Sequence, residues 1–102
     1  VVIEFNAMLN LWDMVCKRID WWDGTSYFGA SITAMFNLAR SKGYSLVYCD
    51  SNGVNLFFVR DDCVVTPFEN MNNPHRLYRW PRYGGHPIDY KQRDYVCSID
   101  LL

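Results

Sequence analysis

This sequence has no excess of charge of either sign. Ten lysines and arginines stand against eleven aspartates and glutamates, for a formal net charge of −1. A chain so balanced has no overall field to draw it onto nucleic acid or an anionic membrane, and neither is expected as its main partner. Long hydrophobic runs are missing too. None approaches the roughly 20 residues that a membrane helix requires. No basic, apolar leader precedes the strand-like VVIEF at Val1–Phe5, so no secretory signal is expected. Cysteine pairs of the CxxC type are also missing. Cys16, Cys49, Cys63 and Cys97 are scattered, and without close-spaced ligand pairs a metal site is not expected. Cys49 ends an apolar stretch, where a free buried thiol is the ordinary state. Free thiols suit a reducing compartment, so a cytoplasmic location is expected. No internal repeat and no G-x-S-x-G nucleophile elbow is visible.

What is present is apolar and aromatic. Half of the 102 residues are hydrophobic and 17% are aromatic. The chain can therefore build a core, and its length suits one domain or part of one.

The organising stretch is Trp22 to Asp62. Within Ser31–Lys42, Ile32, Met35, Phe36, Leu38 and Ala39 fall at helical spacing, with Thr33, Asn37, Arg40 and Ser41 mostly off that face. Gly43 supplies the left-handed residue that ends a helix. Thr25 or Ser26 is the expected cap ahead of it. Tyr44–Cys49 is a β-rich run. Asp50-Ser51-Asn52-Gly53 is turn chemistry, with Asn-Gly predicting a type I′ hairpin turn. Val54–Arg60 returns as a strand. Its Leu56, Phe57, Phe58 and Val59 are apolar without alternation, which predicts a strand buried on both faces.

Three strands then remain to be ordered. If Val1–Phe5 and Tyr44–Cys49 are parallel, the Ser31–Lys42 helix is the crossover between them. The Val54–Arg60 strand then fits between them, antiparallel to both. Asn6–Asp20 is apolar but aperiodic, and reads as a helical turn or a covering loop. Past residue 66 the pattern changes. Pro67, Pro74, Pro81 and Pro87, with Gly84-Gly85, break residues 67–102 into an irregular segment rich in Arg and Tyr. That segment either lies on the 1–66 domain or reaches out to dock on another domain or a partner protein.

Several runs together resemble a known family. IEFN at Ile3–Asn6, WDGTSYFGAS at Trp22–Ser31 and GYSLVYCDSNGVNLFFVRDD at Gly43–Asp62 resemble the C-terminal part of FkbM-type, class I S-adenosylmethionine (SAM) dependent methyltransferases. Leu56 stands where that pattern has a small residue, and Asn6–Trp21 does not follow it. The resemblance implies an α/β fold: the C-terminal portion of a Rossmann-like methyltransferase sheet, with one crossover helix and a terminal antiparallel hairpin. It implies that the last strand inserts antiparallel between its two predecessors. It also implies a fragment that would complete the sheet and form one wall of a substrate site, with a hydroxyl or another nucleophilic oxygen as acceptor. SAM is implied for a full-length relative but not for this chain. No glycine turn here follows a strand and opens a helix, and no carboxylate follows about 20 residues on to hold a ribose. The expected partners are the missing N-terminal half of the fold, or a second copy paired along the Val1–Phe5 edge. A small non-catalytic α/β interaction module is the alternative.

Sites in open α/β sheets lie at the carboxyl ends of the parallel strands. That makes Glu4, Asn6 and the Trp22–Tyr27 loop the candidates. Glu4 is a candidate base or substrate ligand, against the ordinary duty of a strand-end carboxylate. Asn6 is a candidate ligand against turn formation. Asp23, Thr25 and Tyr27 are candidates to line the substrate mouth, against capping and turn duty. His75 and His86 read as loop histidines.

Overall fold

A helix start, a helix stop and a hairpin organise the main sheet of this chain. The computed structural model describes residues 1–102. Helix α1 runs from Ile32 to Ser41. It is capped by Ser31, whose Oγ accepts from the Ala34 N–H at 3.1 Å, and not by Thr25 or Ser26. Those two belong to a tight loop of their own, one turn too early. The helix ends as expected, with Gly43 at φ +79° and its N–H donating to the Arg40 carbonyl at 3.2 Å.

The main sheet holds β1 (Val2–Glu4), β4 (Asn55–Arg60) and β3 (Tyr44–Cys49) in that spatial order. Strand β4 is antiparallel to both neighbours, so β1 and β3 run parallel to each other and α1 connects them. The chain is thus a mixed α/β domain, and the strand order is the one argued from burial. The burial itself differs from expectation. Phe58 lies opposite Leu46, and Leu56 opposite Ile3 and Cys49. Leu46, Cys49, Leu56 and Phe58 face α1 and form the core with Phe5, Ala7, Ile32 and Leu77. Phe57 lies opposite Val2 and Tyr48 on the other face. There Val2 is 55% exposed and Tyr48 51%. No second layer of helices covers that face, so only one side of β4 is fully buried.

The hairpin turn also differs from type I′. Gly53 has φ +71°, but Asn52 does not share a positive φ. The Gly53 N–H donates to the Asp50 carbonyl at 3.2 Å. This is a turn of the type I kind followed by a left-handed glycine. The Asp50 carboxylate explains the wider loop: Oδ1 accepts from the Val54 and Asn55 N–H groups at 2.9 and 3.3 Å.

Residues 67–102 lie on the rest of the domain. Short helix α2 (Pro74–Leu77) inserts Leu77 into the core. The Tyr78 hydroxyl donates to the Ala7 carbonyl at 2.7 Å. Strand β5 (Tyr95–Val96) pairs with β2 (Val15–Cys16) in a small second sheet. Within the aperiodic Asn6–Asp20 segment, Ala7–Leu9 forms a single 3-10 turn.

The two outer edges of the main sheet are treated differently. The edge of β3 is covered: the Asn72 N–H donates to the Leu46 carbonyl at 2.8 Å, and its Oδ1 accepts from the Leu46 N–H at 2.9 Å. Strand β1 bonds β4 through Val1, whose amine and carbonyl both pair with Phe58, and through Phe5. By the alternation of an antiparallel ladder, the backbone groups of Val2 and Glu4 point the other way. The chain returns to that side only at Asn6, whose N–H donates to the Ala30 carbonyl at 2.8 Å. No helix is long and apolar enough to cross a membrane.

Candidate functional site: an aromatic pocket at the carboxyl end of β1

Strand β1 ends at Glu4 beside the start of β4, and a cavity of about 430 Å³ opens there. Glu4, Phe5, Trp22, Phe28, Val54, Tyr83 and His86 line it. Four parts of the sequence meet in it: the β1 end, the Trp22–Phe28 loop, Val54 just before the return strand, and the Tyr83–His86 segment.

The loop is held by Asn6. This side chain is fully buried. Its Nδ2 donates to the Ser26 and Phe28 carbonyls at 2.8 and 3.0 Å, and its Oδ1 accepts from the Met8 N–H at 3.0 Å. Both amide donors are spent on backbone. Asn6 therefore shapes the pocket and has no donor left for a ligand. The Trp22 Nε1–H donates to the Thr25 carbonyl at 2.9 Å, which fixes the indole at the mouth.

The rings meet edge to face. Trp22 and Phe28 have centroids 5.6 Å apart at 70°. His86 stands 4.9 Å from Trp22 at 86° and 5.4 Å from Phe28 at 87°. Tyr83 closes another side, 5.6 Å from His86 at 43°. Burial pushes the Tyr83 phenol above its ordinary pKa, so it is a neutral hydroxyl at physiological pH. Beneath this corner, the His86 N–H rests 3.1 Å from the Met8 sulfur.

Of the sequence candidates, only Glu4 and the Trp22 end of the loop reach this cavity. Asp23, Thr25 and Tyr27 turn the other way, into a clamp on residues 89–94. Arg93 bridges Asp23 at 2.8 Å and Asp89 at 3.0 Å. Its guanidinium lies 4.3 Å from the centre of the Tyr27 ring. The Thr25 hydroxyl donates to Asp23 at 2.7 Å, and the buried Tyr27 hydroxyl donates to the Asp94 carbonyl at 2.6 Å. These contacts tie the loop to residues 89–94. Phe5, Phe28, Val54, Tyr83 and His86 are the lining residues that sequence reasoning missed. The proline and glycine breaks around Tyr83 and His86 carry no period that would place them in space.

The clamp makes the attachment of β5 sensitive to acid. The Thr25 hydroxyl first, and Arg93 with it, hold the Asp23 carboxyl down to about 2. Arg93 likewise holds Asp89 below the usual carboxylate range. A folded pKa below the unfolded one stabilises the fold above about pH 4. That contribution is lost as pH falls toward about 2. The Arg93 amide, accepted by Asp89 at 2.9 Å, should therefore move toward its random-coil NMR shift over that window, before the amides of β4 do. An Arg93 amide that stays put while β4 melts would show that the carboxylates do not hold the clamp.

The cysteines lie apart from this pocket. Cys49 is buried and Cys16 half-buried, and burial pushes each thiol up to about 11. Neither is a thiolate nucleophile at neutral pH. No three His, Cys, Asp or Glu side chains converge in an arrangement that could hold a metal. Comparison with known protein families, with curated proteins and with solved structures finds no match for this chain.

Proposed function

We propose that this chain is the C-terminal, sheet-completing part of an FkbM-type, class I SAM-dependent methyltransferase-like fold, and that the Glu4–Trp22–His86 pocket is one wall of its substrate site. The observation that carries the reading is the strand order. Strand β4 is antiparallel between two parallel strands joined through a helix. The open edge of β1 adds support. An apolar groove of about 230 Å³, lined among others by Val1, Ile3, Met35 and Leu38, lies between that edge and α1. A further strand along Val2 and Glu4 would satisfy the free backbone groups and close the groove.

The residues of this chain do not fit SAM itself. Its one long helix follows a loop and not a strand, and its Ala34 N–H is already taken by the Ser31 cap, so it lacks the strand–glycine turn–helix start that such a cofactor site uses. SAM binding belongs to the rest of such a fold, and the chain is inactive alone. Calorimetric titration of the 102-residue chain with SAM should give a dissociation constant of about 1 mM or weaker, near −4 kcal/mol. Micromolar binding would overturn the assignment of the cofactor to another part of the fold.

The same open edge supports a second reading, a small interaction module that pairs strand to strand with another chain, a second copy included. Its exposed Val1 and Val2 favour that reading.

A further inference from the structure

The shape and chemistry of the pocket at the end of β1 go beyond the methyltransferase-like reading and stand independently of it. Trp22, Phe28 and His86 meet pairwise at 70°, 86° and 87°, so their planes form the corner of a box. Tyr83 and Phe5 add further aromatic wall. Glu4 is the only carboxylate in the lining, and no lysine or arginine lines it. We infer that this pocket binds a quaternary or methylated ammonium group.

The face of an aromatic ring is electron-rich and attracts a cation, most strongly when the rings exclude water. Phe5, Trp22, Phe28 and Tyr83 put four such rings into one lining, so a roughly spherical group can meet aromatic surface on more than one side. A methylated ammonium has no need of hydrogen-bond acceptors, and this lining offers few polar groups beyond Glu4, His86 and the Tyr83 hydroxyl. A sugar, the other common guest of tryptophan-lined pockets, would leave several hydroxyls unpaired here. Glu4 supplies the opposite charge at the rim, and Asn6 holds the loop so that the Trp22–Phe28 corner is formed in advance. A preformed site spares the ligand the cost of ordering the loop.

The test uses choline against neohexyl alcohol, its neutral carbon isostere, with the full chain. The readout is the Trp22 indole N–H in NMR, which the Thr25 carbonyl holds in place. Choline should shift this signal saturably, and the isostere should bind about 10-fold more weakly or worse. Glu4→Gln should weaken choline about 10-fold and leave the isostere unchanged. Should Glu4→Gln disturb β1, Phe28→Leu read at the same indole should weaken choline more than the isostere. Equal binding of the two probes, no saturable shift with choline, or a methyl glucoside that binds better than choline would overturn the inference. None of these outcomes depends on SAM, so the pocket and the fold assignment fail separately.

Discussion

Gly53→Ala should lower the melting temperature by about 10–20 °C, whereas Gly43→Ala should lower it by only about 5 °C. Both glycines have positive φ, +71° and +79°, so each alanine carries a backbone strain of about 1 kcal/mol. The difference lies in what surrounds them. At Gly43 an added Cβ would meet nothing within 4 Å. At Gly53 it would stand 2.6 Å from the carbonyl oxygens of Arg79 and Trp80. Those are backbone atoms, and the segment that carries them is tied to the hairpin by the Arg82 N–H, which donates to the Asn52 carbonyl at 3.0 Å. Nothing there can swing aside as a side chain would. The segment must lift off the turn, and overpacking of this kind costs a further 1–3 kcal/mol or so. Thermal unfolding of the two variants side by side is the check. Equal losses would mean that the Arg79–Arg82 segment does not rest on the hairpin.

Phe58→Ala should cost about 3–5 kcal/mol, which is a large share of the stability of a domain this small. Phe58 is 3% exposed and packs in the core between β4 and α1. Its neighbour Phe57 points to the uncovered face, 5.7 Å from the Tyr48 ring. Phe57→Ala should cost no more than about 2 kcal/mol, because part of its surface stays in water in the folded chain. Urea titrations of both variants give the comparison directly. Similar losses at the two positions would mean that the Phe57 face is buried by something, a second copy being the first candidate to examine by light scattering.

The main-sheet order was legible because it depends on local signals. The helix spacing from Ile32 to Ala39, the glycine stop and the Asp-Ser-Asn-Gly turn each lie within a few residues. Burial of a short apolar strand then orders the sheet. The finer burial of β4 was not legible. An unbroken run, Leu56 to Val59, looks the same whether its second face is covered by protein or left open. The hairpin type was missed because the Asp50 carboxylate reaches past the turn to two backbone N–H groups, and such bonds leave no period in a sequence. The same holds for Asn6. An asparagine after a strand reads as a turn former, and only the fold shows it fastening a loop some twenty residues away. The candidate site was half legible. Glu4 and Trp22 follow from the rule that sites lie at strand carboxyl ends. Asp23, Thr25 and Tyr27 lie in the same loop but face a clamp whose partners, Asp89 and Arg93, are far along the chain.

The measurement that tests the central reading most directly is the coding sequence immediately upstream of the Val1 codon, read from the transcript. The account predicts an open frame that encodes a strand, a glycine-rich turn opening a helix, and an acidic residue ending the next strand about 20 residues on. That frame would supply both the SAM-binding half and the neighbour for the free edge of β1. An in-frame stop codon directly before Val1, or a translation start placed there, would contradict the account and leave the interaction module as the reading of this fold.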